Sequence, residues 1–400
     1  MNRHAVTPAA MLAPFLEAVG PTSWADRLHA IRQGCTPGHA GRALARMHAL
    51  ELSLDSLCGS GRAIVTQFEA RLVLLARDLA RLQRTLAPAG RDRLQGRVAA
   101  ALSGHNTIVP LFHLVACARA QRDRGFDVHF AGLADGAPYD LLLTRDGIEA
   151  ELVCSVVSAE EGRDVHRGAW YRLADRVDPE LHAWLAAHPG RYLLKMTLPR
   201  GLKTDPADGH AALGDLHARI TRLLGEQRRA DHDEAAVLRL EPLLLAGAQA
   251  SESGLMRGLR DNFGPEAHLA VTAAGNGVFV MAARAAREDE VAEAVRRRMA
   301  EIAPACLSGT RPGILAMFIE DTDRLEWRHL RDQLLLEGAA RHFLTTRQAA
   351  HVVAVTCTSR LELLAGAPPH AAEHGELRFG NPGHPNARTA ALAPSVLSTH

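Results

Sequence analysis

Apolar residues recur at three- and four-residue spacing through the first hundred positions of the chain. That period marks amphipathic helices rather than strands. Residues 1–22 carry the weakest pattern and are expected to be loosely ordered. Short helices are predicted over 25–31 and 41–50, parted by the turn residues Cys35-Thr36-Pro37-Gly38. A longer helix over 60–86 places Ile64, Phe68, Leu72, Leu75 and Leu79 on one face and Glu69, Arg71, Arg77 and Asp78 on the other. Pro88 and Gly90 end it, and a last helix over 91–103 stops at Gly104. No strand pattern precedes Phe126, so residues 1–105 are expected to form a helical N-terminal domain.

The period changes after residue 105. Asn106 is placed to cap a helix whose apolar face is Leu111, Leu114, Val115 and Ala118, ending at Arg124-Gly125. FDVHFA alternates like a strand and PYDLLL reads as a second. Arg145-Asp146-Gly147 is a hairpin turn by its Asp-Gly pair. IEAELVCSVVS, over 148–158, is a long third strand, and Gly162 opens a helix over 163–176. Further on, the pattern predicts helix over 178–187, 209–230, 285–302 and 324–344. Strands are predicted in RYLLKMTLP, AAVLRLEPLLL, HLAVTAA, GVFVMAA, GILAMFI and HVVAVTC. Strands alternating with helices, with hairpins among them, imply an α/β fold with a mixed sheet over 106–365. Pro, Gly, Ala and His dominate from 366 to 400, where an extended tail is expected.

Composition adds constraints more than clues. The 400 residues are 47% hydrophobic, enough for a substantial core. Net charge is +1, so global electrostatics do not mark a nucleic-acid binder and a basic surface must be local. Lys195 and Lys203 are the only lysines among 46 basic residues. The six cysteines form no C-x-x-C pair and mostly lie in apolar runs, which suits free thiols in a reducing cytoplasm. The first residues lack the h-region and cleavage site of a signal peptide. No run approaches the ~20 apolar residues that span a bilayer, so no membrane association is expected.

The sequence contains no G-x-x-x-x-G-K-[ST], no G-x-G-x-x-G after a strand and no G-x-S-x-G. That counts against an NTPase, a dinucleotide enzyme and an α/β-hydrolase. The remaining chemistry lies between about 107 and 197. Asp140 falls on the second strand; Glu149 and Glu151 fall on the third and share a face by strand alternation. Carboxylates on adjacent strands are suited to a hard divalent cation such as Mg²⁺.

This order of helix, three strands, helix and strand, with Asp on the second strand and Glu on the third, resembles the PD-(D/E)XK nuclease superfamily. The phrases LFHLVACARAQRDRG, PYDLLL, GRDVHR, RPGILAMFIED and FGNP also look like bacterial proteins of unknown function that carry such a core. The resemblance implies a restriction-endonuclease-like sheet followed by an α/β extension. It implies Mg²⁺ held by Asp140 and Glu151, with Glu149 beside them, and a phosphodiester of DNA or RNA as the object. The chain departs from the pattern in two places. The E-x-K motif reads Glu151-Leu152-Val153, so valine stands where the lysine belongs, and His113 replaces the acidic residue of the first helix. A relocated cation would then come from Lys195 on the expected fourth strand, or from Arg163, His166 and Arg167 at the start of the second helix. Three readings follow: a degenerate module that binds nucleic acid or a partner protein, an active Mg²⁺-dependent nuclease with a relocated cation, and an unrelated α/β interaction protein. The plainer alternatives are a satisfied core imidazole for His113, a core thiol for Cys154 and a solvated strand face for the glutamates. His210 and His217, seven residues apart on a helix, are too distant for one metal.

Overall fold

The computed structural model describes residues 7–59, 64, 66–203, 209–243, 252–264, 266–360 and 376–399. Its first third is helical. Thr7 caps α1 (Pro8–Val19), and Gly20, at φ 85°, turns the chain into α2 (Pro21–Gly34). Then come α3 (His39–Met47), α4 (Ala49–Gly59), α5 (Gln67–Thr85), α6 (Pro88–Ala101) and α7 (Val109–Asp123). Thr66 and Glu69 close a capping box on α5, which starts later than the expected residue 60. Residues 8–19 are a helix rather than a loose segment, because Leu12 and Phe15 are buried against the other helices.

Two mixed sheets follow. The first contains β1 (Asp127–His129), β2 (Leu141–Arg145), β3 (Ile148–Ser158), β9 (Gly313–Glu320), β10 (Val352–Ser359) and β11 (Leu377–Gly380), in that spatial order. β1, β2 and β3 form an antiparallel meander, with the short helix α8 (Ala131–Ala134) between the first two. Asp146 and Gly147, at φ 49° and 74°, make the two-residue turn between β2 and β3. β3, β9 and β10 are parallel, and β11 closes the far edge antiparallel to β10.

The second sheet has the order β5 (Ala230–His232), β6 (Val237–Pro242), β4 (Arg191–Leu198), β8 (Gly277–Ala285) and β7 (His268–Ala274). One of its faces packs on α9 (Arg167–Ala187) and α10 (Gly209–Gly225) through Trp170, Leu173, Val177, Leu181 and Ile220. The other meets α11 (Glu252–Phe263). The two helices expected over 163–176 and 178–187 are one, with Pro179 inside it.

Three expectations change here. The expected fourth strand of the first sheet, β4, belongs to the second. The strand parallel to β3 is β9, reached through α12 (Val291–Cys306). Apolar alternation sets a strand's faces but not its partner, and both β4 and β9 carry apolar runs. The helical region does not own a separate core either. α1, α4, α5 and α7 bury Leu12, Leu54, Leu75 and Phe112 in one cluster with Leu141, Leu152, Ile314 and Phe318 of the first sheet. The opposite face of that sheet, with Val153, Val157, Leu315 and Met317, packs against Val295 and Met299 of α12 and Phe343 of α14 (Leu335–Leu344). Finally, the expected tail contributes β11 and buries Phe379, Leu392 and Val396. Residues 361–375 lie outside the described residues. No described helix is long and apolar enough to cross a membrane.

Candidate functional site

Asp140 stands just before β2, at a bend. Its neighbours part there: Tyr139 packs with the α12 side of the sheet and Leu141 with the helical side. The carboxylate of Asp140 is turned along the ladder. Oδ2 accepts the Cys154 N–H at 2.8 Å and Oδ1 accepts from Arg97 of α6 at 2.8 Å. Glu151 is fully buried. Its Oε2 accepts the Ser308 N–H at 2.8 Å, its Oε1 accepts the Ser308 hydroxyl, and Arg311 lies 3.5 Å away. Arg311 also donates to Glu149 at 2.6 Å. So α6 holds Asp140, while the connector between α12 and β9 holds both glutamates. Among the described residues these three carboxylates do not converge as a metal-sized group. Val153 is buried on the α12 side. Lys195 sits on β4 in the other sheet, paired with Glu241 at 2.8 Å.

The GRDVHR stretch forms part of a buried ring of charges. Arg163 is 4% exposed and reaches Glu160 at 2.5 Å, Glu326 at 2.9 Å and Asp289 at 3.5 Å. Arg167 reaches the other oxygen of Glu326 at 2.6 Å. Arg260 forks onto Asp323, at 2.9 and 2.7 Å. Asp323 caps α13 (Arg324–Asp332) in a box with Glu326. Burial alone would raise the Glu326 carboxyl, but Arg167, Arg163 and Arg260 hold it well below the ordinary carboxylate range. Asp289 responds the other way. Burial, reinforced by Glu266, Glu326 and Glu160, outweighs Arg163 and pushes it up to about 7. His268 donates to the Val165 carbonyl at 2.8 Å and is neutral, lowered to about 3 by burial and by Arg167 and Arg163. His166 stands just before α9, and its backbone N–H donates to the Leu202 carbonyl at 2.8 Å. The ring joins α9 to α11, α13 and the loop before α12, so Arg163 and Arg167 are taken up between the two sheets and not near Asp140.

One group does converge. His113 and Cys117, one turn apart on α7, meet Cys154 on β3, with one ligand atom from each lying within 4.8 Å of the others. His113 is buried and the two cysteines are half-buried. The ring Nε2–H of His113 donates to the Ala316 carbonyl of β9 at 3.0 Å, and the Cys117 Sγ lies beside the ring, 3.6 Å from Nδ1 and 3.8 Å from Nε2. A hydrogen bond from the Cys154 thiol, opposed by burial and aided by His113, brings the Cys117 thiol down to about 6. Cys154, the donor, is pushed well above its ordinary value by that bond and by burial. Burial alone would lower His113, but Cys117, the Ala316 carbonyl and Asp140 raise it on balance. Asp140 therefore touches this cluster through the Cys154 backbone N–H, and its charge raises both His113 and Cys154.

Sequence reasoning singled out His113 and Cys154 separately and passed over Cys117. The available signal was His113-x-x-x-Cys117, which puts both side chains on one helix face. The third ligand depends on how α7 lies across β3, which no local pattern records. No family model matches the chain, and no curated protein or solved structure matches it.

Proposed function

We propose that the chain is a nuclease-like module that does not hydrolyse phosphodiesters and that binds nucleic acid through an arginine-lined groove. Support for the nuclease-like part comes from the order α7, β1, β2, β3, α12, β9, with β9 parallel to β3. This is helix, three strands, helix, strand, interrupted after β3 by the second sheet. The observation that carries the loss of hydrolysis is Glu151. Its buried carboxylate is occupied by Ser308 and faced by Arg311, and Val153 stands two residues on in place of a cation. A buried carboxylate with such partners has little left to offer Mg²⁺, which demands near-octahedral oxygen ligands. Phosphodiester cleavage also needs charge stabilisation in the transition state, which valine cannot supply.

The groove lies between α5, α7 and β1 and encloses about 540 Å³. Arg81, Arg122 and His129 line it. The one acid in its lining, Asp78, is paired with Arg119 at 2.9 Å, which leaves the arginines in excess. Phosphate contacts by arginine are largely sequence-independent and salt-sensitive.

Labelled single- and double-stranded DNA and RNA oligonucleotides test both parts, in Mg²⁺ or Mn²⁺ and in chelator. The expected outcome is no cleavage and binding that weakens with salt. Arg81→Ala and Arg122→Ala should weaken binding, each reducing the salt slope by about 1. Metal-dependent cleavage by the wild type that Asp140→Ala abolishes would replace this reading with that of an active hydrolase. Absence of binding at low salt would leave the fold as a protein-interaction scaffold.

A further inference from the structure

We infer that His113 Nδ1, Cys117 Sγ and Cys154 Sγ bind a zinc ion. The inference stands apart from the nucleic-acid reading, because it uses the far side of α7 and no residue of the groove.

The donor set excludes the metal that the acidic residues suggested. One imidazole and two thiols are soft and borderline ligands, suited to Zn²⁺ and poorly suited to Mg²⁺. The separations of the ligand atoms suit zinc, and the imidazole must reorient for Nδ1 to face the ion. Zn–S near 2.3 Å and Zn–N near 2.0–2.1 Å, at a tetrahedral angle, put nitrogen and sulfur about 3.6 Å apart. The His113 Nδ1 to Cys117 Sγ separation is 3.6 Å, with the sulfur 3.8 Å from Nε2, so ligation includes a turn of the ring or of the Cys117 side chain. All three ligand atoms lie within 4.8 Å of one another.

The surroundings are those of a metal site as well. A metal-bound histidine usually donates its other ring N–H to a carbonyl or carboxylate, which fixes the tautomer. His113 does this with the Ala316 carbonyl at 3.0 Å. The strand that carries Cys154 is fixed by Asp140, whose Oδ2 accepts the Cys154 N–H at 2.8 Å. The ligands come from two rigid elements, α7 and β3, packed in one core. Binding releases the thiol protons to solvent and leaves both sulfurs as thiolates, with no redox change. Three protein ligands leave one tetrahedral position for a water or a small anion.

The experiment is a Co²⁺ titration of the full chain after chelator and reductant treatment, followed by Zn²⁺. One Co²⁺ per chain is expected, with a thiolate-to-cobalt charge-transfer band and tetrahedral visible bands that Zn²⁺ bleaches. Cys117→Ser, Cys154→Ser and His113→Gln should each bind at least roughly tenfold more weakly, while Cys35→Ser binds as wild type. Circular dichroism of each variant separates lost ligation from lost fold. The wild-type spectrum decides the matter even where a variant fails to fold. A folded wild type without a cobalt–thiolate band overturns the inference. So does a band that survives in both Cys117→Ser and Cys154→Ser, or a Cys117–Cys154 disulfide as the form isolated under reducing conditions.

Discussion

The Arg163–Glu326 ring and the His113–Cys117–Cys154 cluster are both buried and polar, and they are satisfied in opposite ways. In the ring charges meet opposite charges: Arg163 and Arg167 share Glu326, and Arg260 forks onto Asp323. Such a network pairs most of its charges within the protein and joins the two sheets. In the cluster, three ligand-type side chains face one another with one carbonyl and one carboxylate outside them. Like groups brought together, with few complementary partners, leave room for a cation that a closed ring does not. Sequence motifs alone pointed to the ring, because GRDVHR is conspicuous; geometry points to the cluster.

Breaking the ring should have the largest effect. Glu326→Ala removes the buried carboxylate that Arg163 and Arg167 share, and loss of one partner of a buried pair costs about 3–5 kcal/mol. Urea denaturation should show it as a lowered midpoint. An unchanged midpoint would mean that the ring is solvated and that its contrast with the cluster is false. The cluster should respond to metal where the ring does not. Zn²⁺ at a hundred times its dissociation constant stabilises the native state by about 2.7 kcal/mol, so chelation should lower the thermal midpoint, and Cys154→Ser should remove that response. Equal midpoints with and without chelator would place both regions in the structural class.

Acidity sharpens the contrast within the ring. Asp289 has its folded-state pKa raised to about 7, so between pH ~4 and ~7 the native state holds a proton that the unfolded chain has released. Stability must then fall as pH rises through that window, by at most about 1.4 kcal/mol per pH unit. Asp289→Asn should remove this slope in a series of denaturation curves. Glu326 works in the opposite sense. Its lowered pKa gives stability that is present above the ordinary glutamate pKa and lost in acid, so the two contributions separate by pH. The smallest effect is expected at Arg97→Ala. Its pair with Asp140 is partly exposed, and such pairs contribute about 0–1 kcal/mol. A larger loss would show that Asp140 is placed by its charge partner and not by the Cys154 N–H.

Local structure was legible where local physics decides it. The Asp146-Gly147 turn, the buried run of β3 and the apolar face of α5 follow from turn chemistry and periodicity. Sheet membership was not, since Leu194 of β4 and Leu315 of β9 have similar neighbours in sequence and end in different sheets. β11 was hidden in a Pro- and Gly-rich stretch because a four-residue edge strand needs only Phe379 buried and a partner in β10. At the site, Asp140 and Glu151 were legible as residues but not as to what they face. A bend at residues 139–140 turns one carboxylate toward α6, and Ser308, distant in sequence, takes the other. Arg311, which bridges both glutamates, left no trace near them in the chain.

The insertion between β3 and β9 also sets a timetable for synthesis. Glu151 pairs with Gly313, so one edge of β3 has no partner until 162 further residues have been made. At about 5–20 residues per second, that wait is roughly 8–30 s. During it a valine-rich strand stands with an open edge, the configuration most prone to pair with another copy. Glu149 and Glu151 sit at the head of that strand, and until Ser308 and Arg311 are made they are uncompensated negative charges on it. Charges so placed repel an identical strand in register. The same two acids that suggest a metal site in the sequence thus put like charge at the head of the nascent strand before Ser308 and Arg311 reach them.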